Sequence, residues 1–144
     1  MIRAYEPDDL PEFLRLCQQL HEEGSVKELD FSLSKMALFP LKEGLFLELG
    51  WSGNAASGMC AGWIDSTFFG EDHVAHMHLW YVEPEFRGGA LGPILLKRFE
   101  GWAFDQGAKE IWVSQATGIN SARTLELFEA LGFEMVGFIA RKAA

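Results

Sequence analysis

The stretch over residues 73–99 constrains this chain most, because it reads as a strand, a glycine-rich turn and an apolar helix in direct succession. His73–Val82 is rich in aromatic and β-favouring residues, and Pro84 stops the run. Gly88, Gly89 and Gly92 follow, and Leu91, Leu95, Leu96 and Phe99 then recur at helical spacing. A turn of this kind suits an anion. Glycines lack a Cβ, so successive backbone N–H groups can approach a phosphate closely. The helix beginning there adds its free N–H groups and positive dipole end. Arg87 can add a full charge on a planar fork. A tight strand-to-helix connection, with glycines serving only the backbone, accounts for the spacing equally well. Two phosphate motifs are excluded. No Gly-Lys-Ser/Thr follows, as a P-loop requires, and Gly88-Gly-Ala-Leu-Gly92 lacks the G-x-G-x-x-G spacing.

Around this centre the chain alternates short strands and helices. Residues 2–5 read as a strand, and Glu6-Pro7-Asp8-Asp9 carries helix-start chemistry. Leu10, Phe13, Leu14, Cys17 and Leu20 predict an amphipathic helix over 8–22, ended by Gly24. A second helix is expected over 32–38, before Pro40. Residues 45–50 and 56–64 form two apolar strands joined by Trp51-Ser-Gly-Asn54, a hairpin signal. Gly58 and Gly62 inside the second strand predict a bulge or a close backbone approach. After the central strand and helix, Gly107 is the expected C′ residue. A strand over 110–115, a helix from Asn120 or Ser121 to Leu131, and a last strand over 133–141 complete the chain. This order predicts an α+β fold with a mixed sheet and helices on both faces.

At 144 residues the chain is expected to form one domain, 1–144, and twelve Phe and five Trp are ample for its core. The net charge of −9 argues against nucleic-acid binding and suits a cationic or amine-bearing ligand, although it also serves solubility alone. Cys17 and Cys60 make no disulfide framework and read as buried thiols. The first residues lack a signal-peptide core, and no apolar run reaches the roughly 20 residues that span a membrane. No membrane partner is expected, and the cytoplasm is the expected compartment.

Tyr81-Val-Glu-Pro-Glu-Phe-Arg-Gly-Gly-Ala-Leu-Gly92 resembles the acyl-CoA pyrophosphate loop of the GNAT superfamily, written Arg/Gln-x-x-Gly-x-Gly/Ala. Arg87 and Gly92 match its outer positions, and Ala90 stands where the family has glycine. Downstream, Asn120-Ser-Ala-Arg-Thr-Leu-Glu-Leu-Phe-Glu-Ala-Leu-Gly-Phe133 is similar to the family's Asn-x-x-Ala-x-x-Leu-Tyr-Glu-Lys-Leu-Gly-Phe helix. The resemblance covers residues 45–144 and, in outline, the first third. It implies a mostly antiparallel central sheet whose fourth and fifth strands splay apart to admit a pantetheine arm.

The resemblance also implies a cofactor and an activity. Acetyl-CoA would be the co-substrate, its pyrophosphate held by the backbone of Arg87, Gly88, Gly89, Ala90, Leu91 and Gly92. Trp80, Tyr81 and Val82 would pair with the pantetheine amides, and Asn120 would contact the same arm. Counting back from Leu131-Gly132-Phe133 places Ser121 there instead, and either residue also suits a helix N-cap. The family often carries a glutamate base eleven residues before the loop arginine, which here is His76. A histidine suits the task, with an ordinary pKa of roughly 6.5. Alternation places His76 and His78 on one face with Trp80 and Val82, either as catalytic groups or as half-buried strand histidines. A His-x-His zinc site lacks a third ligand, so no metal is expected. Glu83 and Glu85 are expected to face solvent. The family's acid, a tyrosine, falls on Phe128, which has no proton to give. The leading expectation is an N-acetyltransferase in which a primary amine, small and cationic or on a protein, attacks directly in a ternary complex. Phe128 and Ala90 favour an acyl-CoA-binding module instead. A third reading is an interaction protein using a Trp- and Phe-rich surface, as in a homodimer.

Overall fold

Apolar strand patterns and tight turns lay five strands side by side in chain order in the computed structural model, which describes residues 1–144. They are β1 (Ile2–Ala4), β2 (Phe46–Ser52), β3 (Ala55–Ser66), β4 (His73–Val82) and β5 (Glu110–Trp112). The first four pair antiparallel, and β4 pairs parallel with β5. The helices are α1 (Leu10–Glu23), α2 (Leu33–Leu38), α3 (Leu91–Asp105) and α4 (Ser121–Ala130). No helix is long and apolar enough to cross a membrane.

The apolar stripes of the helices decide which face each covers. Phe13, Leu16 and Cys17 of α1 are buried in one cluster with Leu47, Leu49, Met59, Ala61 and Tyr81. Leu95, Leu96, Phe99 and Ala103 of α3 cover the other face, with Phe46, Cys60, Ala75 and Met77. Gly62 lets α3 come close. A Cβ there would lie 2.7 Å from the Phe99 ring, tighter than packed atoms tolerate. Gly58 sits likewise beneath Leu91, where a Cβ would meet its Cδ2 at 3.1 Å. Both cysteines are buried and unpaired, and burial pushes the Cys17 thiol up to about 12.

One irregularity positions the site. Ala61 pairs with Leu79 while the next residue, Gly62, pairs with Met77, so His78 is the extra residue of a β-bulge. A single extra residue reverses the parity of everything beyond it. His76 faces the α1 side, yet Trp80 points to the α3 side and Tyr81 to the α1 side. The shared face expected for His76, His78, Trp80 and Val82 is therefore broken at the bulge.

Two further expectations fail at the C-terminal end. β5 stops at Trp112 rather than 115, and no strand forms over 133–141. A strand persists only where a neighbour bonds its N–H and C=O groups, and the outer edge of β5 has no such neighbour. Phe138 consequently stands 94 % exposed.

Candidate active site

The parting of β4 from β5 creates the site. Val74, Ala75 and His76 pair with Glu110, Ile111 and Trp112, and pairing then ends although β4 continues to Val82. The main chain of the last six β4 residues thus faces a gap on one side. At about 3.3 Å per residue, the gap runs roughly 20 Å from its apex at His76 to its open end.

At that open end lies the glycine turn. The N–H groups of Gly88, Gly89, Ala90, Leu91 and Gly92 make no hydrogen bond within the protein. Gly88 makes this possible by taking φ +86°, a left-handed conformation that residues with a Cβ avoid. Five consecutive free donors at the start of the 15-residue α3 form a cradle for an anion. Ala90 holds ordinary helical dihedrals of −85° and −16°, so its methyl does not disturb the turn. The Trp80 indole is not open to the gap. It packs against Phe128, 5.6 Å between centroids, and donates to the Gly92 carbonyl at 3.0 Å, bracing the turn from below.

Arg87 turns away from the cradle. Its Nη2 donates to both oxygens of Glu23 at 3.0 and 2.9 Å, and its Nε donates to the Val82 carbonyl at 2.8 Å. Glu23, the last residue of α1, also accepts a hydrogen bond from the Tyr81 hydroxyl. Burial and this carboxylate hold the Tyr81 phenol well above its ordinary pKa, so it stays protonated. A second network anchors the strand exit. Arg15 donates to Glu83 at 3.0 Å, to Glu12 at 2.8 Å and to the Ala56 carbonyl at 2.6 Å. Glu83 is therefore an ion-pair partner, not the solvent-facing residue its sequence neighbourhood suggested. Glu85 has no such partner.

The apex carries the titratable pair. The rings of His76 and His78 lie 6.1 Å apart, and His76 lies 6.4 Å from Trp112. Neither imidazole makes a hydrogen bond within the protein, so both nitrogens stay available to a ligand. His78 stacks on Trp63 with centroids 3.6 Å apart. Loss of hydration there, reinforced by His76 and Lys42 and opposed by Asp65, holds the His78 pKa below the ordinary value. Trp63 in turn meets Phe39 and, on its ring face, the Lys42 ammonium. This aromatic wall adjoins the histidines on the α1 side. No three His, Cys, Asp or Glu side chains converge, so the pair lacks a third metal ligand.

The far wall is looser. Asn120 holds a left-handed φ of +47° and caps α4 without a side-chain bond, while Ser121 donates to Gln115 at 3.0 Å. Phe128 is buried and without a proton to offer. A cavity of about 900 Å³ lies between β5, α4 and the C-terminal segment, and no β4 residue lines it. Its lining is mostly apolar.

The acetyltransferase (GNAT) family model matches residues 8–133. The chain belongs to this family. GNAT proteins use acetyl-CoA as acetyl donor, and the chain is an N-acetyltransferase by this membership. No curated protein matches it in sequence. Solved structures share its fold at low identity. An acetyltransferase from Trypanosoma brucei superposes with a TM-score of 0.76 at 21 % identity, covering 100 % of this chain and 99 % of its own. AAC(6')-Iy in complex with the bisubstrate analogue CoA-S-monomethyl-acetylneamine gives 0.74 at 19 %, covering 100 % and 98 %. A ribosomal-protein-alanine N-acetyltransferase from Brucella melitensis gives 0.73 at 11 %, covering 99 % of each chain.

Three contributors escaped the sequence reading. Glu23 and Trp63 meet the motif residues only through tertiary contacts. Arg123 lies inside the second motif, where its charge was the available signal.

Proposed function

We propose that the chain transfers acetyl from acetyl-CoA to a primary amine by direct attack in a ternary complex, with His76 as the base. The observation that carries this reading is the run of five free N–H groups at the open end of a gap whose apex is His76. The cradle fits a pyrophosphate, because it offers unbonded donors and a helix dipole without a fixed counter-charge. The edge of β4 beyond His76 that β5 leaves unpaired, apart from the Val82 carbonyl held by Arg87, fits an amide-bearing arm laid along the strand, as an added strand would lie. Asn120 or Ser121, at the start of α4, would contact the same arm.

Acetyl-CoA supplies the acetyl group as a thioester. The chain's own part is to hold that donor, to exclude other geometries, and to take one proton. The acceptor ammonium loses one proton to the neutral imidazole of His76, the freed amine forms the new C–N bond as the C–S bond breaks, and the proton left over on that nitrogen passes to the released thiolate, giving amide and thiol. Fixing donor and acceptor together supplies much of the rate by itself. The thiolate departs without help from Phe128. The unpaired Glu22, Glu28 and Asp30 favour a cationic acceptor by attraction. AAC(6')-Iy, bound to an analogue joining CoA to an acetylneamine, supports an amine of this class. Buried, unpaired thiols suit a reducing compartment, and we place the enzyme in the cytoplasm.

Calorimetric titration with acetyl-CoA and with CoA tests the donor, and thiol release across a panel of polyamines, aminoglycosides and lysine peptides tests the acceptor. Micromolar binding followed by amine-dependent thiol release is expected. Absence of binding to the wild-type protein would end this reading.

A further inference from the structure

The loop arginine and the cradle are electrostatically separated in this chain. Arg87 has its guanidinium committed to the Glu23 carboxylate on one side and to the Val82 carbonyl on the other. A carboxylate already fills the fork that would otherwise meet a phosphate. Releasing it would cost the ion pair and the stacking of Arg87 on the Tyr81 ring.

A different arginine lies over the cradle. Arg123, in the first turn of α4, brings its whole guanidinium to the turn. A Cβ built on Gly88 would lie 2.8 Å from its Nη2, 3.8 Å from its Cζ and 3.9 Å from its Nη1. Of the six arginines in the chain, five donate hydrogen bonds. Arg3 donates to Asp9, Arg15 to Glu12, Arg87 to Glu23, Arg98 to Glu48 and Arg141 to the Ser25 carbonyl. Arg123 makes neither a hydrogen bond nor an ion pair, and it is exposed. An unpaired guanidinium beside Gly88, in a turn of unbonded N–H groups on a protein of net charge −9, suits an anionic ligand.

We infer that Arg123 supplies the charged contact to a phosphate of coenzyme A, and that Arg87 is a positioning residue tying the turn to α1 through Glu23. The inference rests on the acetyl-CoA reading above. The ligand chemistry is a phosphate with free oxygens, and coenzyme A offers two sources, its pyrophosphate and its 3′-phosphate. The guanidinium can reach over Gly88 to either, because nothing in the protein holds it. The inference also gives Gly88 a second duty, since any side chain there would displace Arg123.

The test is calorimetric titration of wild type, Arg123→Gln and Arg123→Lys with CoA and with 3′-dephospho-CoA, each at low and high salt. Arg123 bonds nothing, so the variants should melt with the wild type, which a thermal scan checks. We expect Arg123→Gln to weaken CoA binding roughly ten- to hundredfold, as loss of a charge-assisted contact does, and to flatten the salt dependence. Arg123→Lys should retain part of the affinity. An equal loss with 3′-dephospho-CoA assigns the contact to the pyrophosphate, and a loss confined to CoA assigns it to the 3′-phosphate. Both support the inference. Unchanged affinity in a folded Arg123→Gln, with wild type binding normally, overturns it. Failure of wild type to bind either nucleotide overturns the acetyl-CoA reading and this inference together.

Discussion

The two halves of β4 are one strand with two occupations. From His73 to His76 it is paired on both edges, and Val74 and Ala75 are buried. Beyond the bulge at His78 it keeps β3 but loses β5, and its free edge runs toward five unbonded N–H groups. The closed half has its main-chain bonds satisfied and contributes to stability. The open half leaves donors and acceptors unmet, which costs stability and makes binding possible. The difference teaches that the site is made by interrupting the sheet, not by adding to it.

Substitutions can break that division or sharpen it. The largest effect should come where the sheet packs against α3. Gly62→Val would drive a branched side chain into the Phe99 ring, and a loss of roughly 3 kcal/mol or more is expected by chemical denaturation. His76→Ala, at the fork, should lower kcat roughly 10²- to 10⁴-fold while the Kd for CoA stays near wild type, separating chemistry from binding. Steady-state kinetics beside calorimetry reads both. An unchanged kcat would remove His76 from the mechanism.

Gly89→Glu probes the open half alone. A Cβ there meets only the Phe86 carbonyl, at 3.8 Å, so the fold should tolerate it. The added carboxylate faces the cradle, and CoA affinity should fall at least tenfold with little change in melting temperature. Tyr81→Phe removes the hydroxyl bonded to Glu23 and should cost about 1 kcal/mol of stability, measured the same way.

The smallest effect is a titration. His78 is held below its ordinary pKa chiefly by burial against Trp63, so its imidazolium is disfavoured in the folded state. The unfolded chain takes up that proton first, and the associated stability falls as pH drops through about 6.5. Trp63→Leu should rehydrate the ring and raise the His78 midpoint toward that value in an NMR titration. A midpoint that does not move would assign the shift to the neighbouring charges of His76 and Lys42.

Much of this architecture was legible from local chemistry. The range of β4 and the start of α3 at Leu91 follow from β-favouring residues, Pro84 and the leucine spacing. Gly107 and Gly132 take φ +90° and +92° at the helix ends, as C′ residues should. Gly58 and Gly62 mark close approaches because a missing side chain in a strand implies a neighbour in its place. Other features were not legible. Alternation extrapolated His76, His78, Trp80 and Val82 onto one face, since no residue of β4 announces a bulge. Residues 133–141 carry strand-like chemistry, but the structure provides no partner for them.

The sequence by itself determined where the glycine turn would lie and which strand and helix would flank it. Those properties depend on residues adjacent in the chain: missing Cβ atoms, a proline stop and a helical repeat. The tertiary structure alone decided the parity of β4 and the engagement of Arg87 with Glu23, 64 residues away. It also left Arg123 as the free cation over Gly88. Register and pairing are set by competition among distant groups for the same partners, and that competition is resolved only when the chain is folded.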